Sequence, residues 1–209
     1  MYIPNAFREE NVEKLVAFMR AHSFATLVSV LDGSPFASHI PIVVREREDG
    51  VQLIGHLAKA NPHWKAFGGG ESLAIFAGPH AYVSPSLYEK RESVPTWNYI
   101  AVHAYGVPHI LTLADSRPAI EKILDTLIET YDPSYQGQWD EQSEKFREGM
   151  MNGIVGFEMT VTRLEGKSKL SQNRGQADQR SVAQSLSRST DPTIADVGRA
   201  MQANLESEG

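Results

Sequence analysis

The 209-residue chain contains no cysteine. Disulfides, thiolate metal sites and thiol redox chemistry are therefore excluded, and any redox role requires a borrowed cofactor. No stretch approaches the roughly 20 apolar residues of a membrane span. The N-terminus, with Pro4 and then Arg8, Glu9 and Glu10, lacks the basic and apolar layout of a secretion signal. Both absences predict a cytoplasmic protein without membrane contact. Positive charge is also scarce: 20 Lys and Arg face 26 Asp and Glu, and the net charge of −6 disfavours a broad nucleic-acid-binding face. There is no Gly-x-Ser-x-Gly elbow, Walker loop or Gly-x-Gly-x-x-Gly, so hydrolase, nucleotide triphosphatase and Rossmann readings have no local anchor. The seven histidines (His22, His39, His56, His63, His80, His103 and His109) show no recognised metal-ligand spacing, and no metal site is expected.

What is present alternates between short apolar runs and turns. Val12, Leu15, Val16 and Met19 recur at helical spacing and predict a first helix ending near His22. Ala25 to Val30 and Phe36 to Val44 read as strands joined by an Asp32-Gly33 hairpin, and Val51 to His56 follows as a third. Asn61-Pro62 predicts a cap and first turn for a short helix over His63 to Phe67, stopped by Gly68-Gly69-Gly70. Ser72 to Ala77 reads as a strand, His80 to Ser84 as a separate extended run, and Thr96 to Ile110 as one long strand covered on both sides. A helix opened by Ser116-Arg117-Pro118 buries Ile120, Ile123, Leu124, Leu127 and Ile128. A second helix is expected over Glu141 to Met150. Val155 to Arg163 alternates as a last strand, Glu165 to Gln179 reads as a polar loop, Ser185 to Asp191 as a polar break, and Thr193 to Leu205 as a terminal helix. Six or so strands with short helices predict a mainly β fold, a small closed or split barrel with peripheral helices.

Three stretches carry groups capable of chemistry. In His56 to Trp64 a strand gives way to a helix N-terminus beside Lys59, an arrangement that attracts phosphate through free N–H groups and a positive charge. Its ordinary alternative is a helix merely capped by Asn61. Val94 to Gly106 concentrates aromatics and hydrogen-bonding side chains on one strand, which can cradle a flat heteroaromatic ring or simply form core and dimer contacts. Lys167 to Arg174 is basic and can reach an anionic ligand or a neighbouring subunit, or be a solvated exit from the barrel.

Met1-Tyr2-Ile3-Pro4 through Phe7, His56 to Pro62, His80 to Pro85 with Tyr88, Val94 to Tyr99 with Val102 to Gly106, and Lys169 to Asn173 together resemble the PaiB family of FMN-binding negative transcriptional regulators. The resemblance spans almost the whole chain in order. It implies a split β-barrel of the flavin-reductase and pyridoxamine-phosphate-oxidase type, a homodimer, and FMN in clefts between subunits. By that likeness His56, Lys59 and Asn61 grip the flavin phosphate, Thr96, Trp97 and Asn98 line the ring or ribityl chain, and Lys169, Ser171 and Gln172 close the site. The wider class often uses arginine near the phosphate. Lys59 offers no bidentate grip in its place.

The expected organisation is an FMN-binding barrel over residues 1–165, followed by a polar loop and C-terminal helix over 166–209. The expected function is a homodimeric flavin-binding negative regulator of transcription. The alternative is an FMN-dependent oxidoreductase, in which the cofactor does the electron chemistry. A weaker alternative is a haem-binding protein on the same barrel. No helix-turn-helix is evident, so DNA or a transcription partner is left open, and no catalytic residue is assigned.

Overall fold

Asp32 and Gly33 both adopt positive φ (52° and 78°) and close a two-residue turn. This backbone twist matches that of paired strands, and it fixes the register of the hairpin between β2 (Phe24–Leu31) and β3 (Ser34–Pro41), with Leu31 opposite Ser34. The computed structural model describes residues Met1 to Ser207. The last two residues of the expected 166–209 segment, Glu208 and Gly209, lie outside the described residues.

The remaining elements are β1 (Arg8–Glu9), α1 (Val12–Ala21), β4 (Val43–Arg47), β5 (Gly50–Ala58), β6 (Ser72–Val83), β7 (Thr96–Leu111), α2 (Arg117–Tyr131), α3 (Gln136–Asp140), α4 (Glu144–Asn152), β8 (Ile154–Lys169), α5 (Gln176–Ser187) and α6 (Pro192–Ser207). The described residues separate into two compact units. The first comprises Met1–Leu15, Ala77–Val102 and the chain from Glu165 on; the second comprises Val16–Phe76 and His103–Leu164. β6, β7 and β8 each contribute a part to either unit.

In the second unit the strand order is β3-β2-β6-β7-β8-β5-β4. The two edges of this order, β3 and β4, are joined in sequence by Ile42 alone, and one residue spans at most about 7 Å. The edges must therefore meet, and a Cβ on Gly55 of β5 would lie 3.3 Å from the Pro41 carbonyl oxygen of β3. Leu27, Ile42, Leu53, Phe76, Phe157 and Met159 are fully buried here. The Phe157 ring fills the space that Gly55 leaves and packs edge-on against Phe67 at 5.3 Å. Outside this sheet, Ile123 and Leu127 of α2 cover Val43 and Ile54. In the first unit Ala81, Val83, Tyr88 and Leu170 pack beneath Val182, Ala183 and Leu186 of α5 and Val197 and Met201 of α6.

Several expected boundaries are corrected. The run from Phe36 to Val44 is interrupted at Ile42, where the chain passes from one edge to the other. Ser72 to Val83 is one strand, continuing through Gly78-Pro79 without a break. The helix expected over Glu141 to Met150 is α4, which starts at Glu144 after the Ser143 hydroxyl cap, and a short helix outside that expectation, α3, precedes it. The largest correction is the segment from Glu165. It continues β8 to Lys169, because β1 pairs with it (Arg8 opposite Lys167, Glu9 opposite Gly166), and Gln176 to Ser187 is helical. No helix among the described residues is long and apolar enough to cross a membrane.

Candidate functional site

The extension of β8 turns a presumed loop into a strand, and a strand places alternate residues on one face. Lys167 and Lys169 thus project together. The Lys167 Nζ lies 5.0 Å from the Tyr99 ring centre and donates to the Tyr2 carbonyl oxygen at 3.1 Å, beneath the N-terminal segment. Lys169 is only partly covered: its Nζ lies 6.0 Å from the Phe7 ring centre and donates to the Thr96 hydroxyl at 2.5 Å. Among the described residues neither lysine is paired with a carboxylate. The Lys169 pKa is lowered from the usual 10.5, chiefly by desolvation, with the Lys167 charge adding to the effect and Tyr99 opposing it. Next to Thr96 in sequence, Trp97 is 54% exposed and makes an aromatic cluster with Tyr82 (6.0 Å) and His80 (6.2 Å). A partly exposed ammonium and an open indole in the same unit suit an anionic molecule with a flat ring.

Asn98, next in sequence to Trp97, has its side chain turned inward and is fully buried. Its Nδ2 donates to the Ser171 hydroxyl at 2.9 Å and reaches the Met201 sulfur at 3.4 Å, while its Oδ1 has no partner. Ser171 holds a positive φ of 67°, a strained choice for a residue with a side chain, and the Asn98 contact fixes it there. The Gln172 side chain accepts from the Leu170 N–H (2.8 Å) and donates to the Ser168 carbonyl oxygen (2.7 Å), so both ends of its amide are spent on the turn that closes β8. Of the six first-unit residues read from the sequence, the structure brings Thr96 and Lys169 together, leaves Trp97 exposed against Tyr82 and His80, and gives Asn98, Ser171 and Gln172 inward or backbone-holding positions.

His56, Lys59 and Asn61 belong to the second unit. The expected helix after Asn61 is a five-residue 3-10 turn, Pro62–Ala66, and its leading N–H, that of His63, is already bonded to the Asn61 side chain at 3.0 Å. That N–H is therefore not free for a phosphate. The Asn61 Nδ2 donates to the Ser38 hydroxyl at 2.9 Å. Lys59 is exposed; its backbone N–H is tied to the Gly153 carbonyl oxygen at 2.8 Å, while its ammonium is unpaired among the described residues. His56 faces α2 instead, and burial lowers its pKa below the usual 6.5.

The sequence reading missed a buried polar chain beside Asn61. His63, with no exposed surface, bonds the Ser38 hydroxyl through Nδ1 and the Ser29 hydroxyl through Nε2, both at 2.9 Å, and Ser29 bonds Ser72 at 2.6 Å. Alternating Ser29 and Ser38 on facing strands were the available signal. Desolvation lowers the His63 pKa below 6.5, so the unfolded chain binds the proton more readily. The contribution of neutral His63 is complete above pH 6.5 and is lost as pH falls through 6.5 towards the depressed folded value. Melting temperature is expected to be flat from about pH 7 to 8 and to fall below about pH 6.5. His63→Gln should weaken that slope and leave the share of His56, which has the same sign. An unchanged slope in His63→Gln counts against this assignment.

Residues 1–163 match the family described as "Putative FMN-binding domain". The "Protease synthase and sporulation protein PAI 2" of Bacillus subtilis (strain 168) is 36% identical over 211 residues, covering 100% of both chains. The chain belongs to the PaiB family. Two solved structures share the fold of this PaiB-family protein. The flavocytochrome Anf3 from Azotobacter vinelandii has a TM-score of 0.59 at 14% identity, covering 78% of this chain and 69% of its own. The FAD and haem binding protein from Mycobacterium smegmatis has a TM-score of 0.56 at 15% identity, covering 78% and 73%. The fold class is thus mainly β, the split barrel of flavin-binding proteins, and FMN is the cofactor of the PaiB family domain.

Proposed function

We propose that this protein is a homodimeric FMN-binding negative regulator of transcription that acts through a partner protein. The observation that carries the flavin reading is the Lys169 ammonium, paired with no carboxylate among the described residues and bonded to Thr96, in a chain of an FMN-binding family. These residues fit the cofactor: Lys169, backed by Lys167, suits the phosphate, Thr96 the ribityl chain and Trp97 the ring. Bound FMN supplies reversible one- and two-electron chemistry. Dimerisation is supported by Tyr82 and Trp97, half or more exposed (50% and 54%), an aromatic face that a partner subunit would cover.

A regulatory role is supported by the name of the Bacillus relative, which refers to protease synthesis and sporulation. Action through a partner is supported by mixed charge on the C-terminal helices, where Arg199 pairs with Asp196 and Asp178 holds the Glu89 N–H at 2.8 Å, leaving no basic stripe for phosphates. The test combines a visible spectrum with and without FMN, sedimentation, and anaerobic NADH. The expected result is stoichiometric flavin uptake by a dimer, no bleaching by NADH, and no shift of DNA fragments without a copurifying partner. Absence of flavin uptake sinks the reading, and rapid bleaching followed by reoxidation in air replaces it with an oxidoreductase.

A further inference from the structure

Among the described residues only Asp32 and Ser171 hold positive φ without being glycine. Asp32 is accounted for by its hairpin turn, whereas Ser171 (φ 67°) lies two residues past Lys169, the last residue of β8. A side chain in this left-handed region is unfavourable, and such a residue persists only where its surroundings hold it. Ser171 is buried, and its hydroxyl accepts from Asn98 Nδ2 at 2.9 Å. Its carbonyl oxygen accepts from the Arg174 N–H, also at 2.9 Å.

Thr96 and Asn98, two residues apart on β7, project to the same face. Each bonds a residue at the end of β8: Thr96 the Lys169 ammonium, Asn98 the Ser171 hydroxyl. The two bonds hold the ammonium and the chain reversal behind it as one unit. Core packing alone does not call for an amide at position 98. Its Oδ1 is buried without a partner, a cost that an apolar side chain avoids. What the amide adds is the contact from Nδ2 to Ser171, steadied by the Met201 sulfur of α6 at 3.4 Å.

We propose that Asn98 is a positioning residue for the flavin phosphate: it holds Ser171 in the left-handed turn and thereby sets where β8 ends and where Lys169 carries its ammonium. The inference rests on the flavin reading of Lys169. Asn98, turned inward, needs no contact with the cofactor, and this role replaces the one implied by the family resemblance, in which it lines the ring or ribityl chain. Without the contact Ser171 relaxes to negative φ, the chain leaves β8 in another direction, and the ammonium loses its place beside Thr96.

The test compares FMN and riboflavin affinities of the full chain by titration of the flavin spectrum. Asn98→Ala is expected to weaken FMN binding roughly fivefold, less than the loss in Lys169→Gln because the displaced ammonium keeps its charge. Riboflavin, which lacks the phosphate, should bind Asn98→Ala within about twofold of the wild type, and its uptake reports an intact fold. Ser171→Ala removes the same contact while leaving a side chain in the left-handed position, so it should show the same split without a cavity at position 98. Adding Ser171→Gly to Asn98→Ala should return most of the FMN affinity, because glycine holds positive φ unaided. In a Lys169→Gln background Asn98→Ala should cost less than about twofold more, since a residue that works through Lys169 has nothing left to position. Equal losses of FMN and riboflavin, no rescue by glycine, or full additivity with Lys169→Gln would each overturn the proposal. A Lys169→Gln variant that binds FMN as the wild type does overturns the flavin reading of Lys169 itself, and the proposal with it.

Discussion

Gly198→Val is expected to destabilise the protein by about 3 kcal/mol, at the upper end of the usual cost of overpacking. Gly198 is buried within α6, a position where glycine costs roughly 1 kcal/mol relative to alanine in an ordinary helix. Its reason for being there is the crossing with α5. A Cβ at Gly198 would meet the Ser187 backbone nitrogen, the Ser187 Cα at 2.6 Å and the Leu186 carbonyl carbon at 2.8 Å. These are backbone atoms, so no rotamer change relieves the clash, and α6 must move away. Movement opens the packing of Val182, Ala183 and Leu186 against Val197 and Met201, which also holds Leu170 at the end of β8. A fall of roughly 6–12 °C in melting temperature is expected for a domain of this size. The control is Gly149→Ala in α4, where an added Cβ meets nothing within 4 Å and the helix should gain roughly 0.5–1 kcal/mol. Equal melting temperatures for Gly198→Val and the wild type would mean that the two helices are not in close contact.

The parts of the fold legible in the sequence are those set by neighbours in the chain. Asp32-Gly33 marks its hairpin because positive φ is a local demand, and Ile120, Ile123 and Leu127 announce the buried stripe of α2 by their spacing alone. Ser116 and Asn61 serve as caps for the same reason. The end of β8 was hidden because lysine and serine carry no strand signal of their own. The Lys167 ammonium is covered by a residue 165 positions away, and pairing with β1 decides the conformation. The candidate site divides along the same line. Lys169 and Thr96 stand out by residue type, and their hydrogen bond joins β7 to β8. The roles of Asn98 and His56 depend on which helix packs over them, a matter of tertiary docking that no local spacing records. Asn61 reads as both a cap and a phosphate ligand; its Oδ1 caps the His63 N–H and one Nδ2 hydrogen goes to the Ser38 hydroxyl.

Lys169→Glu is expected to weaken FMN binding by roughly 100-fold, and Lys59→Ala by less than about threefold. The difference rests on what surrounds each ammonium. Lys59 is fully solvated on an exposed turn, where a charge pair gains little over water. Lys169 is partly desolvated, already oriented by Thr96, and accompanied by Lys167 on the same face, so an incoming phosphate relieves repulsion as well as forming a charge-assisted hydrogen bond. Replacement by glutamate removes that bond and adds a like charge, whereas Lys169→Gln should lose only about tenfold because it keeps a neutral donor. Binding of riboflavin, which lacks the phosphate, should be nearly insensitive to Lys169→Glu. That comparison separates loss of a phosphate contact from damage to the ring site, and titration of the flavin spectrum at two salt concentrations reads it directly, because a true phosphate contact weakens as salt rises. Should Lys59→Ala prove the more damaging variant, the phosphate site belongs to the turn after β5, and the lysines of β8 serve instead to anchor the N-terminal segment through Tyr2 and Phe7.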